Sequence, residues 1–230
     1  MRTRSLVLAI GLALALSIAL PIYRARAARS RLDATRPVNG DLVILAYRAT
    51  FPNTEKVLNV VRRMDHVARA GIFAISPVEV SSRTRSARGI VKLELVDAEL
   101  ASQLHLSLSQ LPTPLSLEPE VTLGSTLAKT LGVGRGDEVA LRLEASVPRG
   151  TTVTCRVHAV VNFGFAHFDE QLAIADLRSI NTFALQPTGV EVLLEQPDLR
   201  QSVTTKVQAN LGSEYNVLSL EELVADPNER

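Results

Sequence analysis

VTLGSTLAKTLGVGRGDEVAL, residues Val121 to Leu141, contains the clearest local pattern in this sequence. Its first four residues lead into the next seven, Ser125–Leu131, which predict a short helix with Ser125 as N-cap. Gly132 is placed to end that helix in the left-handed conformation. Alternating apolar residues over Glu138–Glu144 predict the following strand.

Two stretches outside this segment share the order strand, helix, strand. In the first, Val57, Val60, Val61, Met64 and Val67 recur at the spacing of an amphipathic helix, with Asn53 or Thr54 as cap. The predicted elements are Asp41–Ala46, Asn53–Ala70 and Gly71–Val80 in the first stretch, and Gly189–Leu194, Asp198–Leu211 and Tyr215–Leu218 in the second.

The residues between the two stretches are mainly strand-like. Three prolines make Ser107–Glu120 a loop, and Asp176–Phe183 predicts a short helix capped by Asp176. The strands predicted here, besides those above, are Gly89–Val96, Thr152–Val161 and Gln171–Ala175.

The sequence therefore predicts an α+β fold in which a split β-α-β part receives a mainly β insertion. We expect one domain over residues 41–225, preceded by a linker. The predicted boundaries are 1–31 for an N-terminal membrane segment, 32–40 for the linker, 41–85 and 188–222 for the split part, and 86–187 for the insertion.

The N-terminal segment has the pattern of a membrane-targeting sequence. Leu6–Ile22 is an apolar run of 17 residues between two arginine-containing stretches. Two interpretations stand: a retained single-pass helix at the short end of what spans a bilayer, or a signal peptide cleaved near Ala27. In both, the rest of the chain is exported.

Composition narrows the function classes. The whole chain carries a net charge of +1, and six arginines lie within residues 1–31, which leaves −5 on residues 32–230. We therefore do not expect residues 32–230 to bind nucleic acid through general electrostatic attraction. Cys155 is the single cysteine, so neither an intramolecular disulfide nor a cysteine-based zinc site can form.

Several motifs admit a chemical interpretation, but a structural one is favoured for each. The glycines of Gly132–Gly136 follow a helix, whereas a phosphate-binding loop precedes one. Ser125 and Lys129 are four residues apart on the predicted helix, the spacing of a Ser-Lys nucleophile pair. The favoured interpretation is a helix cap and a solvated lysine. The other candidates are the paired carboxylates Glu118 and Glu120, the basic hairpin residues Arg83, Arg85 and Arg88, and the four histidines His66, His105, His158 and His167. Of the histidines, only His167 has acidic residues two to four positions later, Asp169 and Glu170. We expect no catalytic, metal or cofactor site.

Three of the six phenylalanines, Phe163, Phe165 and Phe168, fall in the short stretch NFGFAHFDE. Aromatic residues concentrated on a loop are typical of contact surfaces, and they also occur as plugs of a core. These three residues are the candidate binding site for a partner.

Beyond these local patterns, Val121–Leu141 resembles the "LG..LA..LGV..GD.V.L" segment of Lol-type lipoprotein-releasing permeases and of MacB-like periplasmic core domains. Arg156–Ile180 and Thr188–Asp198 are similar to the segments that follow in that family, in the same order. The resemblance implies a split "porter" part and an inserted "sabre" part, in agreement with the organisation predicted above.

The resemblance further implies a non-enzymatic periplasmic domain of an ABC-type lipoprotein-release or efflux system at the bacterial inner membrane. Implied partners are a permease-like membrane subunit, a separate ATPase, and a lipoprotein or acyl chain. The alternative is an envelope scaffold with the same fold and no transport role. Two departures stand out: the sequence ends at Arg230 without the C-terminal membrane helices, and the turn at 145–151 is too short for the chaperone-docking hook.

Overall fold

The computed structural model describes residues 40–46, 53–144, 150–180 and 186–220, together with Arg36, Val38, Phe51 and Glu222. The predicted membrane segment, its cleavage site near Ala27, most of the linker and most of the 145–151 turn lie outside these residues. Within them, no helix is both long and apolar enough to cross a bilayer.

Nine strands and six α-helices make up the described fold, which is mixed α+β as predicted. The strands are β1 (Leu42–Ala46), β2 (Val67–Ser81), β3 (Ser86–Glu94), β4 (Glu120–Gly124), β5 (Glu138–Leu143), β6 (Thr151–Val161), β7 (Leu172–Asp176), β8 (Gly189–Leu194) and β9 (Tyr215–Ser219). The helices are α1 (Thr54–Arg62), α2 (Ala98–Gln103), α3 (Ser125–Leu131), α4 (Ala166–Gln171), α5 (Leu177–Ile180) and α6 (Arg200–Leu211).

The open half of the sheet has the strand order β2-β8-β1-β9, with antiparallel neighbours throughout. Leu42 of β1 pairs with Val192 of β8 and with Ser219 of β9. Each β-α-β unit thus holds a strand of the other unit between its own two, which is the split β-α-β arrangement. Helices α1 and α6 bury their apolar residues against this half, in one cluster with Leu42 and Val192.

The other strands close a ring, since β2, β3, β7, β4, β6 and β5 pair in that order and β5 pairs again with β2. Closure leaves these strands without free edges. The alternation predicted in β5 is confirmed, because Val139, Leu141 and Leu143 are all buried in the ring core. Leu127 and Leu131 of α3 pack into the same core.

The helix predicted over Asn53–Ala70 is shorter in the structure and ends at Arg62. Arg63 is its C-cap, His66 takes a positive φ of 69° in the turn that follows, and Val67 already begins β2. The predicted C-terminal end of the helix is wrong because Val67 fits the three- and four-residue spacing of the helix, although its backbone pairs with β8.

Of the predicted helix ends, the N-cap at Ser125 is wrong, whereas the C-terminal Gly132 and the cap at Asp176 are confirmed. Ser125 is not the N-cap of α3, since Gly124 occupies that position and no side chain caps the helix. Gly132 ends α3 with φ 69°, as predicted. Asp176 accepts hydrogen bonds from the backbone N–H groups of Arg178 and Ser179, as a cap of α5 does. That helix is described to Ile180, and residues 181–183 lie outside the described part.

Two helices of six residues were not predicted. Asp97 caps α2 through a 2.7 Å hydrogen bond from the backbone N–H of Leu100. Helix α4 lies in the phenylalanine stretch that the sequence analysis treated as a loop. Both are too short to show two turns of helical periodicity.

Candidate functional site

The seam is the place where β2 leaves the open half and enters the ring, at Phe73 to Ile75. Phe73 pairs with Gly189 of the open half on one side and with Glu94 of the ring on the other. The backbone of β2 at the seam therefore pairs with both parts of the fold.

A network of charged side chains is buried at the seam. Arg69 on β2, Lys92 and Glu94 on β3, and Glu191 on β8 are each less than a tenth exposed. Lys92 Nζ lies 2.5 Å from Glu191 Oε2 and 2.5 Å from Glu94 Oε1, and it also donates to the backbone carbonyl of Val38. Arg69 lies 3.4 Å from Glu94 and 3.5 Å from Glu191.

Helix α2 completes the network through Gln103. Its amide oxygen accepts a 2.8 Å hydrogen bond from Arg69, and its amide nitrogen donates a 2.5 Å bond to Glu191 Oε1. Burial opposes the charged form of Lys92, but Glu191 and Glu94 outweigh it and hold the pKa of Lys92 above its ordinary value. Two cations thus face two carboxylates, and the network is neutral as a whole.

A cavity of about 170 Å³ opens beside this network. Most of its wall is apolar, with contributions from the open half, the ring, α4 and the segment before β1. It is lined by Val38, Val43, Phe73, Ile75, Ile90, Lys92, His167, Phe168, Gln171, Leu172 and Glu191.

Of the three phenylalanines proposed from the sequence, one lines this cavity and a second contacts the first. Phe168 lines it, and the Phe165 ring meets the Phe168 ring edge-on at 5.2 Å between centroids. Phe163 and Phe168 are half-buried against an apolar cluster that includes Leu100 of α2. Phe165 is also half-buried.

Gly124 fixes the position of this phenylalanine loop, residues 162–171. A Cβ at Gly124 would lie 2.6 Å from the carbonyl oxygens of both Phe168 and Asp169. The Asp169 carboxylate in turn accepts a 2.8 Å hydrogen bond from the backbone N–H of Phe163. The glycine of the "LG" motif is therefore the contact that lets α4 pack against β4.

Of the other sequence candidates, His167 lines the cavity, whereas Gly132–Gly136, Lys129 and the hairpin arginines do not. Gly132–Gly136 connects the end of α3 to β5, as expected from its order. Lys129 is exposed. Arg85, in the β2–β3 hairpin, donates to the carbonyl oxygen of Thr130 near the end of α3.

Glu118 and Glu120 do not act as a carboxylate pair. Glu118 contacts Arg156 at 2.5 Å, whereas Glu120 contacts His158 Nδ1 at 2.9 Å and accepts from the backbone N–H of Thr113. Burial opposes ionisation of Glu120, yet these partners hold its pKa below the ordinary value. Among the described residues, no group of three or more His, Cys, Asp or Glu side chains is placed to hold a metal ion.

Cys155 lies inside the ring core, and burial raises the pKa of its thiol to about 12. The thiolate is the nucleophilic form, so the folded protein should react with an aromatic disulfide reagent at pH 8 far more slowly than the urea-unfolded protein. Time courses of thiol release in the two states measure this difference. Equal rates would contradict the burial of Cys155.

No protein-family model matches the sequence, and no curated protein matches it. The crystal structure of the periplasmic region of MacB from Actinobacillus actinomycetemcomitans is similar, with a TM-score of 0.52 at 11% identity over 82% of this chain and 93% of that one. The chain has the fold of a MacB-like periplasmic core domain. The MacB-like fold implied by the resemblance of Val121–Leu141 is thereby confirmed.

A second solved structure compared with this MacB-like fold is the extracellular domain of the ABC-type transporter YknZ from Gram-positive bacteria. It aligns with a TM-score of 0.48 at 13% identity, over 79% of this chain and 100% of that one. At such identities the comparison with MacB establishes the fold, and function has to be argued from the site.

Sequence reasoning missed the buried charge network. Lys92 and Glu94 alternate with Val91 and Leu93, a pattern typical of a strand with one solvated face. A local signal does exist, since Glu191 interrupts an otherwise apolar strand, GVEVLL. No local sequence pattern shows that Glu191 contacts Lys92, which lies about a hundred residues earlier in the sequence.

Proposed function

We propose that this chain is a non-catalytic periplasmic interaction domain of an ABC-type lipoprotein-release or efflux system, held at the inner membrane by residues 6–22. The observation that carries the proposal is the similarity of the fold to the periplasmic region of MacB over most of both chains. The open half would be the porter-like part, built from 41–85 and 188–222, and the insertion 86–187 the sabre-like part.

The seam supports a binding role. It combines an apolar cavity with half-buried aromatic rings, and such rings are common anchors of protein contacts. Because its walls come from both halves of the fold, a molecule bound there would contact both. The proposed occupant is a lipoprotein, an acyl chain or a permease-like partner subunit, with ATP hydrolysis supplied by a separate subunit.

The proposal is tested by a mild-detergent pulldown of the tagged full-length protein from its native membranes. Mass spectrometry identifies the captured proteins and the N-terminus of the bait. We expect an ATPase and a permease-like subunit, with the residues before Ala28 still attached. A mature chain that starts near Ala28 and brings neither partner would overturn the anchored-transporter proposal and favour the envelope scaffold.

Phe165→Ser tests the phenylalanine loop as the contact surface. Phe165 is half-buried and meets Phe168 only edge-on, so we expect a stability loss well below the roughly 3–5 kcal/mol typical of truncating a fully buried phenylalanine. Co-purification of the partners should be abolished. Urea unfolding and the pulldown measure the two effects.

Leu117→Ser is the matched control, because Leu117 is a fully exposed apolar residue on a different loop. It should leave both stability and partner capture unchanged. Loss of capture with Leu117→Ser, together with retained capture with Phe165→Ser, would assign the contact to the leucine-bearing loop instead.

A further inference from the structure

We infer that His158 is a proton-dependent latch for the leucine-bearing loop, residues 104–119, which connects α2 to β4. With two protons on its imidazole, His158 ties the loop to the outer face of the ring, and with one proton it releases part of the loop. The latch makes the order of this loop depend on the pH of the compartment in which the domain works. It is built from contacts within the domain, so it does not depend on which partner the domain binds.

Both nitrogens of the His158 imidazole face hydrogen-bond acceptors. Nδ1 lies 2.9 Å from Glu120 Oε2, and Nε2 lies 3.0 Å from the backbone carbonyl oxygen of Ser109. A neutral imidazole has one N–H group, whereas an imidazolium has two. Only the protonated form of His158 therefore donates to both acceptors at once.

The two acceptors hold the loop at two points. Ser109 is a loop residue, and Glu120, the first residue of β4, also accepts a 2.7 Å hydrogen bond from the backbone N–H of Thr113. Burial opposes the ionisation of Glu120, but Thr113 and the charge of His158 outweigh it and hold the pKa of Glu120 below its ordinary value. Glu120 therefore stays ionised at about pH 5.5, where the latch is closed.

The outer part of the loop has few apolar contacts of its own. Leu108, Leu115 and Leu117 are exposed, the last of them completely. Leu115 also has a φ of 55°, in the left-handed region that bulky residues rarely adopt. Few apolar contacts and a strained backbone are typical of segments that open locally. The hydrogen bonds at Ser109 and Thr113 therefore contribute much of the order of this loop.

Charged groups from the neighbouring elements surround His158 on the outer face of the ring. Glu120 of β4 faces the imidazole directly. Arg156, two residues earlier on β6, is paired with Glu118 of the loop at 2.5 Å, and Glu138 of β5 lies opposite Arg156. Histidine is the side chain that ordinarily changes its charge between about pH 5 and 8, so a pH change over this range acts on the latch.

Limited proteolysis of the full-length protein measures release of the loop. Chymotrypsin cleaves after leucine, and mass spectrometry of the fragments reports cleavage at Leu115 and Leu117. Dividing the rate at each pH by that of a synthetic peptide of residues 104–120 removes the pH dependence of the protease and gives the protection of the loop. Protection should fall about three- to tenfold between about pH 5.5 and about pH 8, as expected for the loss of one hydrogen bond.

His158→Gln tests whether this histidine is the sensor. His158 lies on the outer face of β6, whereas the residues before and after it point into the ring, so the core stays in place. The variant should show the same low protection at both pH values. His167→Gln removes an exposed histidine of α4 instead and should keep the pH dependence. Equal protection at both pH values in the unsubstituted protein, or a pH dependence that persists in His158→Gln, would overturn the inference.

Discussion

Replacing Lys92 with methionine is expected to lower the free energy of unfolding by about 3–5 kcal/mol at pH 7, the cost of leaving a buried ion pair without one partner. Methionine has a similar length and removes the charge, so the more distant Arg69 is left as the cation beside Glu94 and Glu191. Glu191 also keeps its hydrogen bond from Gln103. Both carboxylates are almost completely buried and cannot recover their hydration. Urea unfolding of the full-length protein, followed by circular dichroism, measures the loss.

The loss should depend on pH in a defined direction. Burial and the neighbouring Glu94 already hold the pKa of Glu191 above its ordinary value, and removal of Lys92 raises it further. A carboxyl group with a raised pKa in the folded state gains folded-state stability as pH falls from the folded toward the unfolded pKa. The difference between Lys92→Met and the unsubstituted protein should therefore shrink as pH falls from 7 toward about 5.

Two further variants isolate the charge effect. Lys92→Met combined with Glu94→Gln restores neutrality with Arg69 and Glu191, so this double variant should be more stable than Lys92→Met alone. Arg142→Met removes an ion pair with Glu79 that is largely exposed, and it should cost less than about 1 kcal/mol. Similar losses in Arg142→Met and Lys92→Met would show that burial does not govern the effect.

Gly124→Ala is expected to destabilise the protein by about 1–3 kcal/mol, the usual cost of forcing an extra carbon into a packed site. The new Cβ would lie 2.6 Å from two backbone carbonyl oxygens of α4, and neither can move without moving the helix. Displacement of α4 carries Phe168 away from the cavity, so partner capture should fall as well. Urea unfolding and the pulldown measure both effects.

Gly134→Ala is the matched control within the same motif. The nearest atom to a Cβ there is the Asp137 carboxylate oxygen at 4.0 Å, and the backbone of Gly134 has no positive φ. This change should alter stability by less than about 0.5 kcal/mol. A loss with Gly134→Ala as large as that with Gly124→Ala would contradict the role assigned to the close contact with α4.

These expectations place the organising interactions of the protein at the seam. The open half and the ring have separate apolar clusters, and the charged network joins them through β2, β3 and β8. Gln103 ties α2 to the same network, and α4 covers the cavity beside it. The proposed binding site and the main polar connection between the two halves are therefore neighbours.

The phenylalanine loop shows how far local sequence identifies a site. Three aromatic residues within six positions were enough to single out a segment that the structure places beside the cavity. The cavity itself was not predictable, because its other walls come from residues as distant in sequence as Val43 and Leu172. Whether the loop binds a partner stays a prediction for the variants above.

The sequence by itself determined the elements whose periodicity is long enough to be recognised: the two β-α-β units, the alternating strand β5, and the helix that ends at Gly132. Each depends on contacts within a few residues, so the order of residues is sufficient. Only the tertiary structure decided the closure of the ring and the burial of Lys92, Glu94 and Glu191. Their alternation with apolar residues is that of a solvated strand face, and it becomes an interior only because α2 and the Val38 segment cover it.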